Sequence, residues 1–342
     1  MAAKRETSVD LLKSLAIVLV VLGHAIQYTV RDFDLNPLFR IIYSFHMPLF
    51  MFVSGYLAFR KKMQSSYLYK RFASLVVPFA IWLVIYSVFY NFNKIMHGQF
   101  GSVISFVKEG LLFPDHGGLW FLWVLFLIEI FHVFAQSTTH KYLILAGISV
   151  GLYLTSLVKV PIYFGLLFVR WHLFFFAMGL AFREYGFLNK ISYKSILLML
   201  PFLVVSESSW SRMGSNTFGF HLSSVTQSVY NLANSYLVAT LSIVLFFKIA
   251  TTIKRSNTYV VWLSENTLAV YAIHGMILIL VVGELKEILQ ESILMTCLTF
   301  ITTVLISIGM IRIIQINPGC RRFLFGKQPP KLPSRASPGT VG

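Results

Sequence analysis

The stretch LAIVLVVLGHAI, Leu15–Ile26, decides the fold class of this chain. Ten of its twelve residues are apolar, and the hydrophobic segment around it begins at Leu11. Such a segment is typical of a helix that crosses a lipid bilayer. His24 is the exception, because a titratable ring is costly to bury in a membrane interior. Two questions follow: how often the chain crosses the membrane, and what function His24 has there.

The composition extends this interpretation to the whole chain. Of its 342 residues, 56% are hydrophobic and 12% are charged, whereas a soluble domain carries about 25% charged residues. The apolar residues come in blocks of roughly 17 to 25, the length of a membrane-spanning helix. The net charge of +16 comes mainly from alternate loops, which favours membrane topology over nucleic-acid binding. The sequence predicts an all-α, polytopic transmembrane helix bundle.

The hydrophobic blocks predict about ten spans. If the N-terminus is cytoplasmic, about three quarters of the 29 Lys and Arg residues fall on the inner side. This bias predicts that both termini are cytoplasmic and that the first span is retained rather than cleaved as a signal peptide. The predicted spans are Leu11–Tyr28, Leu38–Phe59, Ala73–Phe92, Leu119–Phe134, Tyr142–Val158, Leu166–Phe182, Ser195–Val205, Tyr230–Ile249, Thr267–Val282 and Ile293–Ile314.

The domain organisation follows from these spans. Residues 1–317 are predicted to form a single transmembrane domain without a soluble catalytic domain. Residues 318–342, rich in Pro, Gly, Ser and basic residues, are predicted to be a disordered cytoplasmic tail. Function is therefore expected inside the helix bundle.

Four ionisable residues are predicted to lie near the middle of the membrane. At about 1.5 Å per residue, His24 lies roughly 20 Å from the inner face and His46 roughly 12 Å below the outer face, so the two rings share a similar depth. Glu129 and His274 also fall near mid-membrane. Each such group costs roughly 3 kcal/mol or more unless paired, and is by default a functional candidate. The alternative is that they pair with one another and only hold helices together.

A second set of candidates lies near the cytoplasmic ends of the first three helices. Lys70 and Arg71 stand at the entrance of the third helix, where cations can hold a phosphate-bearing ligand, or simply mark the inner side. Asp10 and Lys13 share a face of the first helix and pair there, either to shape a site or as a weak interfacial salt bridge. Ser54, beside Gly55, leaves room either for close helix packing or for a narrow substrate chain.

Five motifs resemble, in order, those of the acyltransferase-3 family of membrane acyltransferases, most of all its sugar O-acetylase branch. The run from Asp10 to His24 resembles the family's opening helix, and SFHMPLFMFVSGY, Ser44–Tyr56, its second-helix motif. YKRFASLVVPF resembles the basic entry to the third helix, and LWFLWVLF and AVYAIHGMIL resemble downstream blocks. The chain departs from the family at Lys13, where arginine is frequent, and at Lys70-Arg71, where the family has paired arginines.

The resemblance implies transfer of an acyl group, usually acetyl, from cytoplasmic acyl-CoA to a hydroxyl of an outer-side or lipid-linked glycan, such as O-antigen, capsule or exopolysaccharide. It implies a bacterial inner membrane, acyl-CoA as a co-substrate, no permanently bound cofactor and no metal. Asp10, Lys13, Ser54, Lys70 and Arg71 are then candidates for donor binding. Trp120, His172 and His274 are candidates for acceptor binding, although Trp120 also suits an ordinary interface anchor.

The chemistry expected at His24 is general-base catalysis or transient acceptance of the acyl group. A neutral imidazole can remove the proton of a sugar hydroxyl in the transition state. His46 or Glu129 is expected to orient that ring or relay the proton.

Two other functions stay open from sequence alone. Buried His and Glu side chains also serve proton-coupled transporters, although the chain lacks an inverted repeat. A membrane scaffold without catalysis is the third possibility, in which an apolar residue would replace His24 without loss.

Overall fold

The computed structural model describes residues 6–60, 64–114, 118–157, 162–218, 223–255 and 257–327. In chain order the helices are α1 (Thr7–Thr29), α2 (Pro37–Ala58), α3 (Tyr67–Arg71), a π-helical turn (Phe72–Val76), α4 (Val77–Tyr90), α5 (Phe92–Met96), α6 (Gly101–Leu112), α7 (Trp120–Gln136), α8 (Lys141–Leu157), α9 (Leu166–Tyr185), α10 (Phe187–Lys190), α11 (Tyr193–Ser209), α12 (Ser224–Thr252), α13 (Thr258–Glu265), α14 (Thr267–Ile288), α15 (Ile293–Ile314) and α16 (Pro318–Phe325). No strand occurs within these ranges.

Each of the ten predicted spans overlaps a helix, so the predicted all-α bundle is confirmed. By length and composition, seven segments are suited to crossing a membrane: α1, α2, the continuous Tyr67–Tyr90 segment, α9, α12, α14 and α15. Helices α7 and α8 are apolar but shorter. Helix α11 overlaps the seventh predicted span and contains Pro201, which removes a hydrogen bond from its interior.

Helix α2 is central to the bundle, and its sequence sets both its start and its middle. The Asn36 side chain accepts a hydrogen bond from the Phe39 amide at 3.1 Å, and Pro37 occupies the first helical position, where a missing N–H costs nothing. Pro48 lies inside the helix and cannot donate to the carbonyl of Ser44. The regular backbone hydrogen bonding is therefore interrupted across His46, which lies midway between Ser44 and Pro48.

Helices α2 and α9 approach each other through two reciprocal glycines. A Cβ atom at Gly55 would overlap the Phe176 carbonyl, and a Cβ atom at Gly179 would overlap the Phe52 carbonyl. Small residues at such crossings let membrane helices pack backbone to backbone. The contact fixes α2 against α9 and so fixes the relative positions of the side chains that both helices carry.

The predicted disordered tail begins with an ordered helix. Residues 318–325 form α16, and Phe325 is buried with its ring stacked on Trp82, 6.3 Å between centroids. The prediction of disorder is therefore wrong for these residues, because the Phe325 side chain packs on an apolar surface of the bundle. Residues 328–342 lie outside the described part of the chain.

Replacing Gly179 with alanine is expected to destabilise the protein, because the added methyl group collides with backbone rather than with a movable side chain. Overpacking of this kind costs about 1–3 kcal/mol. Thermal unfolding of the purified protein in detergent measures the loss. Gly309→Ala in α15 is the control, since a Cβ there meets no atom within 4 Å. Equal stability of Gly179→Ala and wild type would contradict the close contact.

Candidate functional site

Two cavities enter the bundle from opposite ends. We call the end at which α1 begins proximal and the end at which it finishes distal. The distal cavity has a volume of about 970 Å³ and is lined by histidines, aromatic rings and two arginines: His24, His46, His172, Tyr43, Trp120, Trp171, Trp210, Arg170 and Arg212. Pocket walls that join apolar rings to a few polar groups are typical of small-molecule sites.

His24 projects from α1 into the distal cavity and is held by Gln27, which lies three residues later on the same helix face. Its Nδ1 atom lies 3.0 Å from Oε1 of Gln27, and the Tyr43 hydroxyl donates to that same oxygen at 2.8 Å. The Tyr43 hydroxyl also lies 3.2 Å from Nδ1. With the Gln27 amide in this orientation its carbonyl oxygen can only accept, and the tautomer that satisfies it carries the proton on Nδ1 of His24. The Nε2 atom therefore keeps its lone pair and is available to accept a proton.

The other three histidines among the predicted site residues form similar hydrogen bonds. Nδ1 of His46 donates to the Ile42 carbonyl at 2.7 Å, that of His172 to Phe168 at 2.8 Å, and that of His274 to Tyr271 at 2.8 Å. Each bond turns back to the preceding helical turn and leaves Nε2 as the free acceptor.

The structure brings His24, His46 and His274 together, as the depth estimate predicted. The ring centroids of His24 and His274 are 5.4 Å apart, and Tyr43 lies between His24 and His46, with its ring 4.8 Å from that of His46. His274 is buried against His24, whereas His24 and His46 line the cavity. Among the described residues, no group of three His, Cys, Asp or Glu side chains could hold a metal ion.

The predicted acceptor-side residues Trp120 and His172 also line the distal cavity. Their rings lie 5.0 Å apart, and the Trp120 ring stacks on Phe168 with 4.6 Å between centroids. The Arg170 guanidinium stacks over Tyr153 at 4.9 Å. Arg170 therefore also belongs to the wall of the distal cavity.

The proximal cavity has a volume of about 300 Å³ and contains most of the charged candidates. Three cations line it, Lys13, Arg60 and Arg71, together with Ser54, Tyr67 and Glu129. Arg71 reaches it from the end of α3, directly before the π-helical turn Phe72–Val76. Turns of this kind are frequent at functional sites.

Glu129 does not join the histidines, contrary to the hypothesis that it orients His24. Its carboxylate is 1% exposed and pairs with Arg71, 2.7 Å from the guanidinium, and it also accepts a bond from the Tyr67 hydroxyl. It faces the proximal cavity, whereas His24 faces the distal one. The position of a residue along a helix does not determine the direction in which α7 points its side chain.

Two of the predicted donor-site residues lie elsewhere than expected. Lys70 is exposed and donates to the Gln64 side chain at 3.3 Å, and it is not among the residues that line the proximal cavity. Asp10 is buried and accepts a hydrogen bond from Ser264 at 2.6 Å, which joins α1 to α13. Lys13, Ser54 and Arg71 do line the cavity, so the structure groups three of the five predicted residues there.

The two cavities share a wall made by Met47 and Tyr271, which line both of them. Tyr271 is fixed, because its hydroxyl donates to the Gly118 carbonyl at 2.8 Å. Met47 is adjacent to His46 and has a flexible, unbranched side chain. Of the two wall residues, Met47 is therefore the one whose side chain can move more easily.

Sequence analysis missed several residues of this arrangement. Gln27 and Tyr43 hold His24, Tyr67 bonds to Glu129, and Tyr271 forms the wall. The three-residue spacing from His24 to Gln27, and from Tyr43 to His46, is a helical-face signal that could have found two of them. Tyr271 offers no comparable signal in a chain with 16 tyrosines.

Comparison with known proteins agrees with the predicted family. Residues 6–312 match the acyltransferase domain of the acyltransferase-3 family. The chain belongs to this family. The matched region includes the residues that line both cavities and the histidine cluster His24, His46 and His274.

Curated relatives of this acyltransferase-3 family member include two nodulation proteins. The chain is 30% identical over 200 residues to nodulation protein NolL of Sinorhizobium fredii, covering 54% of the chain and 50% of that protein. It is 29% identical over 144 residues to NolL of Mesorhizobium japonicum, covering 36% of the chain and 34% of that protein. The chain thus spans about half the length of the first relative and a third of the second. No solved structure matches the chain.

Loss of Arg71 alone is expected to destabilise the protein more than loss of Arg71 and the Glu129 charge together. Arg71→Ala leaves a buried carboxylate without its cation, at a cost of about 3–5 kcal/mol. Adding Glu129→Gln removes that charge and restores much of the stability. Thermal unfolding in detergent provides the measurement, with Lys70→Ala as the neighbouring exposed control. If the double variant is as unstable as Arg71→Ala, the ion pair is not what the carboxylate requires.

Proposed function

We propose that this protein transfers an acyl group, acetyl in the simplest case, from cytoplasmic acyl-CoA to a hydroxyl of a glycan or lipid-linked sugar on the outer side of a bacterial inner membrane. The observation that carries the proposal is the pair of cavities that enter from opposite ends and share the Met47–Tyr271 wall. The family of the chain and its histidine cluster support the same chemistry.

The donor is assigned to the proximal cavity, which faces the cytoplasm in this proposal. Coenzyme A is a polyanion with a long neutral arm. Lys13, Arg60 and Arg71 supply positive charge, and Arg71 offers the planar fork that matches phosphate oxygens. The volume of about 300 Å³ suits a thin chain rather than a nucleotide. The arm would extend past Ser54 toward Met47, with the nucleotide end left near the cavity mouth.

The acceptor is assigned to the distal cavity. Its volume of about 970 Å³ has room for a sugar and its neighbours. Trp120 and Trp171 offer flat rings against which sugar rings stack, His172 adds a hydrogen-bond acceptor at Nε2, and Arg170 adds hydrogen-bond donors. His274 supports the site from behind His24 rather than by touching the acceptor.

The reaction begins when Nε2 of His24 removes the proton of the acceptor hydroxyl, whose oxygen attacks the thioester carbonyl. The carbon–sulfur bond then breaks, the proton on His24 passes to the leaving thiolate, and the products are an O-acyl sugar and free coenzyme A. Gln27 holds the ring in the required tautomer. A covalent acyl-histidine at the same Nε2 atom is the other route, and both routes place His24 at the reacting atoms.

The transporter alternative receives less support from the arrangement of the buried charges. A proton relay needs histidine and carboxylate side chains in contact. Here the buried carboxylate of Glu129 is paired with Arg71 in the proximal cavity, apart from the histidine cluster of the distal cavity.

Replacing His24 with alanine is expected to lower acyl transfer by about 10²–10⁴-fold, because the hydroxyl loses its proton acceptor. Membranes containing the variant are incubated with labelled acetyl-CoA, and label is counted in surface glycan. His97→Ala, an exposed ring outside both cavities, is the matched control. Full transfer by a well-expressed His24→Ala protein would refute the proposal.

Gln27→Leu is expected to reduce kcat by at least about tenfold with little change in the Michaelis constants, because it removes the acceptor that fixes the His24 tautomer. Gln27→Glu keeps an acceptor oxygen at the same place and should retain more activity. Steady-state kinetics with acetyl-CoA distinguish the two variants. A purely structural role for Gln27 predicts equal losses in both.

A further inference from the structure

The C-terminal segment that follows α15 returns to the proximal end and binds the bundle. Asn317 starts α16 by accepting hydrogen bonds from the amides of Gly319 and Cys320, at 2.8 and 3.2 Å. The indole of Trp82 donates to the Leu324 carbonyl at 2.8 Å, beside the stacked Phe325 ring. These contacts attach α16 to α4, directly after the π-helical turn.

Gly326 brings the chain into contact with that turn. Its φ of +63° is the left-handed conformation that favours glycine, and a Cβ atom there would lie 2.5 Å from the Ser74 carbonyl oxygen. The Ser74 hydroxyl in turn donates to the Arg71 carbonyl at 3.2 Å. The C-terminal segment is thus connected through two contacts to a cation that lines the proximal cavity.

Lys327 follows Gly326, and its side chain reaches the beginning of α14. Its Nζ atom donates to Oδ1 of Asn266 at 2.7 Å, and the Gln315 amide donates to the same oxygen at 2.6 Å. Asn266 directly precedes Thr267, which lines the proximal cavity. The ammonium group is therefore held at the edge of that cavity by an amide oxygen that accepts from both Lys327 and Gln315.

The charges around Lys327 are mostly positive. The pKa of Lys327 is lowered to about 8, mainly by burial and also by the nearby cations Arg321 and Lys13, whereas Glu265 acts to raise it. The Nε atom of Arg321 is buried and has no hydrogen-bond partner among the described residues. Lys13 belongs to the wall of the proximal cavity. Three cations and one carboxylate thus meet where α1, α14 and the C-terminal segment converge.

We infer that Lys327, Arg321 and Lys13 form an anion site at the mouth of the proximal cavity, which binds the phosphate groups of the nucleotide end of acyl-CoA. The inference rests on the proposed function, which assigns the acyl-CoA arm to this cavity. Cations that repel one another are stabilised by a polyanion, and phosphate oxygens supply the acceptors that Arg321 lacks. The C-terminal segment is then a wall of the donor site rather than a passive tail.

The experiment is calorimetric titration of the purified full-length protein with coenzyme A and with pantetheine, which lacks the nucleotide end and its phosphates. Lys327→Gln is expected to raise the Kd for coenzyme A about tenfold and to leave that for pantetheine unchanged. Arg322→Gln, an exposed cation on the same helix, is the matched control and should leave both constants unchanged. Thermal unfolding checks that each variant is folded.

The pH dependence of coenzyme A binding gives a second test, in which the Lys327 side chain is not removed. Coenzyme A binds best while Lys327 is protonated, so its affinity for wild type should fall between about pH 7 and about pH 9. Lys327→Arg keeps the charge over this range and should flatten the fall.

The outcomes distinguish the inference from the proposed function. If wild type binds coenzyme A and Lys327→Gln binds it equally well at every pH, the anion site is refuted and the acyl-CoA donor stands. If wild type binds neither coenzyme A nor acetyl-CoA, the proposed function is refuted together with the site.

Discussion

The hydrogen bonds made by histidine Nδ1 atoms are the interactions on which the candidate site depends. A polar group inside a membrane bundle has no water to turn to and must find its partner in the protein. Helical carbonyls satisfy one nitrogen of His46, His172 and His274, and Gln27 satisfies that of His24. The other nitrogen is left as an acceptor. The requirement to pair what is buried thus also prepares the rings for acid–base chemistry.

The same need to pair buried polar groups also determines where the buried charge of Glu129 lies. The carboxylate of Glu129 cannot stand alone at 1% exposure, and it takes Arg71 as its partner. That pairing places a cation of α3 in the proximal cavity beside the π-helical turn, and Gly326 and Ser74 extend the arrangement to the C-terminal segment. The distal cavity meanwhile combines imidazoles, aromatic rings and arginines. One bundle therefore carries two environments of different chemistry.

Much of the fold could be predicted from the sequence, because each span is a long apolar block whose length is set by the bilayer. Helix rise also predicted that His24, His46 and His274 would lie at a similar depth, and the structure brings the three rings together. The direction in which each side chain points around its helix axis could not be predicted in the same way. Glu129 was assigned to the histidines but faces the opposite cavity, and Lys70 is exposed although its neighbour Arg71 is not. Adjacent residues differ by about 100° around a helix, and only packing decides which one points inward.

The C-terminal segment was missed for a different reason. Its average composition is that of a flexible tail, and averaging conceals Phe325, whose burial beneath Trp82 depends on a surface distant in sequence. The close crossing of α2 and α9 was suggested by small residues, but the identity of the partner helix follows only from the three-dimensional arrangement.

The Met47–Tyr271 wall has a further importance for a cell that stores energy across its membrane. Two recesses that share a wall would form a pore if a side chain of that wall moved aside, and a pore would let ions leak down their electrochemical gradient. Tyr271 is tied to Gly118 and cannot swing aside freely, so the seal depends on Met47. A flexible thioether side chain can move aside and then return. In the proposed reaction it could admit an acyl group and still keep the two cavities closed to ions at other times.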